Sequence, residues 1–215
     1  MVVAVTGLLL IGFVIMHLLG NLLVFGGPDA INAYAHKMRT VGPLLWVVRA
    51  GLLAVALLHI VTSIQLAIEN RRARPIGYRV SRAAETTLSA RTMALTGMLL
   101  LAYLVYHLLH FTFRVTHPGL SHLTDGRGRH DVYAMVVLSF RDPLLSLVYI
   151  AAMALLCSHL SHGASSFLQT LGLATDRTLP RIRQAARLLA FGIFVGYSLI
   201  PAAALLGWLP VSVRN

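Results

Sequence analysis

Five runs of apolar residues, each close to the length that crosses a bilayer, decide what this chain can fold into. They cover about residues 2–25, 44–68, 92–116, 143–168 and 187–209. A helix needs roughly 20 predominantly apolar residues to span the hydrocarbon. Backbone in that medium must satisfy its own hydrogen bonds, which leaves helices or a closed barrel. The period-2 alternation of barrel strands is absent, so the expected fold class is all-α: an integral membrane bundle of five transmembrane helices. Composition agrees, because 57% hydrophobic residues, 12% charged residues and a mean hydropathy of +0.76 lie far from a soluble domain's balance. The first run has no basic leading segment and no small-residue cleavage site, and it is read as a spanning helix, not a signal peptide.

The net charge of +11 would suggest a nucleic-acid partner in a soluble protein; here its distribution along the chain gives topology instead. Between the second and third runs, Arg71, Arg72, Arg74, Arg79, Arg82 and Arg91 against Glu69 and Glu85 leave +4. The fourth connection leaves +3, the first +2 and the third +1. By the positive-inside rule the second and fourth connections face the cytoplasm, which puts the N-terminus inside and the C-terminus outside a cell inner membrane.

The chain also repeats itself. Thr6-Gly7-Leu8-Leu9-Leu10 is followed, ten residues after the glycine, by His17-Leu18-Leu19; Thr96-Gly97-Met98-Leu99-Leu100 is followed in the same frame by His107-Leu108-Leu109. An unpartnered polar group in hydrocarbon costs roughly 2–7 kcal/mol, so a buried imidazole there needs a reason. The second run adds His59, and the fourth adds His159 and His162 in His159-Leu160-Ser161-His162-Gly163. At about 1.5 Å per residue, His17 and His107 fall in the outer half of the bilayer, and His59 and His159 at about 15 Å from its inner end. Four histidines in two layers meet the requirement for two bis-histidine b-type haems stacked inside four helices. The repeat selects His107 over His110, and matched depth selects His159 over His162. His110 and His162 then read as contacts to haem propionate, water or quinone. Gly7, Gly12, Gly51, Gly97 and Gly163 either admit a flat macrocycle or simply let helices pack closely.

Other residues draw plainer readings. The first loop, Asp29 to Arg39, has the mixed pattern of a short interfacial helix, with His36 at headgroup level. Residues 117–141 read as a polar loop in which His117, His122 and His130 lack the spacing of a zinc site. Cys157 reads as a small packing residue. The fifth run has no histidine, carries Pro201 and Trp208, and is expected to pack or to face a partner.

The order of TGLLL and HLLGN in the first run, INAYAHKM in the first loop, LLH in the second, the second Thr-Gly copy with its histidine, and HLSHGASSF in the fourth resembles a known family. It is the membrane-anchor cytochrome b subunit of succinate dehydrogenases and quinol:fumarate reductases, of the single-polypeptide, five-helix, di-haem type. The resemblance covers nearly the whole chain. It implies axial ligation by His17 and His107 at an outer haem and by His59 and His159 at an inner one. It also implies a flavoprotein and an iron–sulfur protein docked on the cytoplasmic face, and a membrane quinone, most often menaquinone. Dicarboxylate chemistry would belong to the partners and not to this chain. Some members use an outer carboxylate for proton handling; Asp29 and His36 are the nearest outer-loop candidates. Two rival expectations remain open: a di-haem anchor of another respiratory dehydrogenase, and a transporter or proton channel with a histidine relay. The relay is disfavoured because transporter repeats are inverted, whereas this repeat is parallel.

Overall fold

The computed structural model describes residues 1–73 and 92–211. Arg74, Arg79, Arg82, Glu85 and Arg91, on which much of the charge asymmetry rests, lie outside the described residues. The elements are α1 (Val2–Leu22), prolonged by a 3-10 turn Leu23–Gly26; α2 (Pro28–Thr40); α3 (Pro43–Arg72); α4 (Met93–His107), prolonged by a π-helical segment Leu108–Thr112; α5 (Val132–Ser139); α6 (Pro143–Thr170); and α7 (Leu179–Leu205). Five of these, α1, α3, α4, α6 and α7, are long and apolar enough to cross a membrane. The described residues contain no strand; the only extended pairing among them is an isolated bridge between Thr124 and His130.

Local chemistry sets the boundaries. Pro28, Pro43, Pro143 and Pro180 occupy the first turns of α2, α3, α6 and α7, where a missing N–H costs nothing. The chain reverses into α2 through Gly27, whose φ of 87° suits glycine. Asp131 caps α5 through Ala134 N, and Asp142 caps α6 through Leu144 N and Leu145 N.

Two expectations need correction. The fifth span begins at Leu179, eight residues before the apolar run does, and Arg181, Arg183 and Arg187 ride its first turns. Hydropathy misses such a start because arginine is apolar on no scale yet propagates a helix well. The supposed polar loop 117–141 contains α5, in which Tyr133, Met135, Val136 and Val137 are buried. Eight residues are too few to show a helical period, and tertiary packing makes this helix.

The bundle is held by α6 and α7, which share the most extensive contact, and by α1 against α3, α6 and α7. α4 packs on α6. Leu18, Leu160, Ala190 and Ile193 form one core cluster where α1, α6 and α7 meet, and Cys157 packs against it. At Gly196 an added Cβ would lie 3.0 Å from Leu18 Cδ2, so the α1–α7 approach depends on glycine. The helix without histidine is thus a packing helix. α3 differs from all the others: it buries no residue, and it meets the bundle chiefly along α1.

A cap closes one end. α2, α5 and the third connection meet there around Val24, Ile31, Tyr133, Val137, Phe140 and Tyr149. Asn32, on α2, is buried and reaches Asp131 Oδ1 (3.0 Å) and Asp125 Oδ2 (3.4 Å) with its Nδ2, while its Oδ1 accepts from Tyr133 N (2.9 Å). Arg129 pairs with both Asp125 and Asp29, and Arg127 pairs with Asp29. Asp29 is therefore bound into an ion-pair latch between α2 and the third connection, and His36 on α2 is exposed.

Candidate functional site: two layers of paired histidines

The bundle is two similar helix pairs, α1 with α3 and α4 with α6. In each pair the Thr-Gly element of the first helix touches a histidine of the second. Thr6 Oγ1 lies 3.2 Å from His59 Nδ1, and Thr96 Oγ1 lies 3.3 Å from His159 Nδ1. A Cβ on Gly7 would stand 3.3 Å from His59 Cε1, and one on Gly97 3.5 Å from His159 Cε1. Each imidazole thus lies against a bare stretch of helix backbone.

The second layer joins the two pairs. His17 of α1 and His107 of α4 face each other with ring centroids 6.0 Å apart and planes crossed at 85°. Phe13 stacks on His17, Tyr197 of α7 tilts against it, and Tyr103, Phe111 and Tyr149 surround His107. Tyr197 is fixed in turn by donating to the Val14 carbonyl at 2.8 Å. Thr6 and His17, like Thr96 and His107, are eleven residues apart, three turns plus about 20°, so each threonine shares a face with its histidine about 16 Å further along. That is the spacing of the two layers.

The other histidines separate by environment. His110 is buried in the π-helical segment, and both ring nitrogens are engaged: Nδ1 with Tyr149 Oη at 2.9 Å and Nε2 with Ser139 Oγ at 3.1 Å. It ties α4 to α5 and α6. His162 is half-buried on α6, one turn beyond His159. His117 leans on His110, with 4.7 Å between ring centroids. In the cap, burial lowers the pKa of His130, with the Arg39 and Arg114 charges adding to the effect. Burial works against ionisation of Asp125, but hydrogen bonds from Arg129 and Arg127 outweigh it and hold the carboxyl at about 2.

Do these residues suit a haem? An iron–imidazole bond of about 2.0 Å on each side, with about 1.1 Å from nitrogen to ring centre, gives a centroid separation of about 6 Å, borrowing the metal–imidazole length of other metals. His17 and His107 stand at that separation. His107 Nδ1 is buried with no hydrogen-bond partner among the described residues, a cost that a ligand held through Nε2 would not relieve. Glycines stand where the inner-layer rings meet backbone, and at Gly12 and Gly163 a Cβ would meet nothing within 4 Å. Among the described residues no three His, Cys, Asp or Glu side chains converge; the imidazoles come in twos. The donors that the structure brings together are His17 and His107, one from each of two helices.

Thr6, Thr96, Tyr149 and Tyr197 are the site residues that the histidine pattern alone does not reveal. The two threonines did carry a signal, since the repeat conserves them in register with the histidines. No family model matches the chain, and no curated protein or solved structure does either.

Proposed function

We propose that the chain is the membrane anchor and electron-transfer subunit of a succinate:quinone oxidoreductase, holding two b-type haems. His17 and His107 would bind one, His59 and His159 the other. The N-terminus is cytoplasmic in this reading, the membrane is the cell inner membrane, and the His59/His159 layer lies nearer a docked iron–sulfur subunit with its flavoprotein. Electrons then move between that partner and a membrane quinone, menaquinone. A haem held by such a pair of imidazoles would supply reversible one-electron transfer. The protein's task is to hold, orient and dry the groups: Phe13 and Tyr197 fix the His17 ring, Tyr103 and Tyr149 enclose His107, and the spans exclude water.

The observation that carries this reading is the 6.0 Å facing of His17 and His107 from different helices, one layer away from a second pair of histidines cradled alike. The choice of enzyme complex rests on the ordered motifs of the sequence. The test is purification of the chain with its natural partners in mild detergent, followed by haem quantitation per chain and identification of the co-purifying subunits. Two haems b per chain, partly reducible by succinate, with a flavoprotein and an iron–sulfur protein bound, is the expected result. A colourless protein, or His59→Ala that retains both haems, defeats the ligand assignment; a nitrate- or formate-enzyme partner replaces the complex but keeps the haems.

A further inference from the structure

The Thr-Gly half of the repeat has no place in the ligand set, yet the structure puts it in contact with two of the four ligands. A hydroxyl has one proton. Thr6 Oγ1 lies 2.8 Å from the Val2 carbonyl and 3.2 Å from the Val3 carbonyl; Thr96 Oγ1 lies 3.0 Å from the Thr92 carbonyl and 3.1 Å from the Met93 carbonyl. Carbonyls only accept, and each threonine oxygen stands nearest a carbonyl of its own helix, which favours the threonine proton going there. Toward the imidazole the threonine oxygen then offers a lone pair. With the threonine protons on those shorter carbonyl contacts, the proton of the Thr6–His59 contact falls on His59 Nδ1 and that of the Thr96–His159 contact on His159 Nδ1.

We propose that Thr6 and Thr96 are positioning residues that fix His59 and His159 as Nδ1–H tautomers, leaving both Nε2 lone pairs to face the interior of one layer. Gly7 tightens the first cradle, because a Cβ there would stand 3.3 Å from His59 Cε1 and the ring would have to give, whereas the 3.5 Å at Gly97 is ordinary contact with His159. The inference rests on the haem reading for its consequence but not for the tautomer itself. Metal-bound histidines take their orientation and basicity from the partner of the second nitrogen, and loss of such a partner typically costs 10–100-fold in metal affinity. Among the described residues no threonine hydroxyl is placed against His17 or His107 in this way, so the two layers are tuned differently by the same repeated sequence. Each repeated helix gives one ligand to its own layer and one tautomer-setting hydroxyl to the other.

The test uses Thr6→Val, which keeps the shape and removes the hydroxyl, and Thr6→Ser, which restores it; Thr96→Val and Thr96→Ser repeat it in the second helix pair. In the purified complex, Thr6→Val is expected to shift the oxidised-to-reduced ratio of one haem about tenfold at fixed potential, which is 59 mV for one electron, and to change its low-spin resonance signature. The other haem should stay unchanged, and Thr6→Ser should return both readouts to wild type. Ring nitrogen-15 shifts of His59 in the chain prepared without haem should report a protonated Nδ1 in the wild type. Unchanged potential and resonance in both valine variants with two haems retained overturns the proposal, as does a protonated Nε2 in the wild type. A wild-type chain that binds no haem defeats the functional reading and leaves the nitrogen shifts to decide the tautomer.

Discussion

Asn32 offers the sharpest test of how the cap is held. It is 1% exposed, and it makes two hydrogen bonds to carboxylates and one to a buried backbone N–H. In Asn32→Ala, Asp131 keeps its bond to Ala134 N and Asp125 keeps Arg129, so the carboxylates are not orphaned. What is lost is a charge-assisted bond worth about 1.5–3 kcal/mol and the partner of Tyr133 N, which costs about 1–3 kcal/mol when left unsatisfied. The cap should therefore weaken by about 2.5–6 kcal/mol, roughly two to four powers of ten in its opening equilibrium at 1.4 kcal/mol per decade. Amide hydrogen exchange of α2 and α5 in detergent reads that opening directly. Asn32→Asp sharpens the test, since it sets a third carboxylate against two. Its folded pKa would rise above the unfolded value, so whatever stability the cap retains is fullest at low pH and falls as pH rises through the folded pKa. Exchange protection within a factor of ten of wild type in Asn32→Ala, or no loosening of Asn32→Asp between pH 5 and pH 8, would show that the network is not what holds the cap.

His130 should give the wild-type cap the opposite slope. Arg114 Nη1, a donor only, lies 3.3 Å from His130 Nε2, and Nδ1 donates to the Leu123 carbonyl at 3.2 Å, so the ring is held neutral. Its folded pKa is depressed; as pH falls through the ordinary histidine value the unfolded chain takes a proton that the folded cap refuses, and stability drops. His130→Gln should flatten exchange protection between pH 7 and pH 5, and an unchanged slope would clear His130 of the effect. In the bundle, Gly196→Ala should cost about 1–3 kcal/mol by overpacking against Leu18, read as thermal unfolding in detergent. Leu18→Ala in the same chain should recover part of that loss; additive losses would mean the two positions do not press on each other.

The five spans were legible in the sequence because twenty apolar residues sum to a signal that no local detail reverses. α5 was not, because eight residues carry too little period and its burial depends on Asn32, which lies about a hundred positions away and is itself an ordinary loop-forming residue by composition. The starts of α2, α3, α6 and α7 follow the prolines, and the last of these was misplaced only where arginines disguised a helical turn. At the site the histidines were visible singly, and the structure sets His17 against His107. Their contacts were not visible: His59 meets Thr6 and His159 meets Thr96 across 53 and 63 residues. The repeat did carry that information, in the eleven-residue interval that puts threonine and histidine on one face. A duplicated helix needs its conserved histidine if that side chain is a ligand, but it needs a threonine in register only if the threonine acts at the other level. Thr6 and Thr96 bond back to their own helices as Thr62 does to Leu58, and what sets them apart is the second contact, to His59 and His159 on a neighbouring helix.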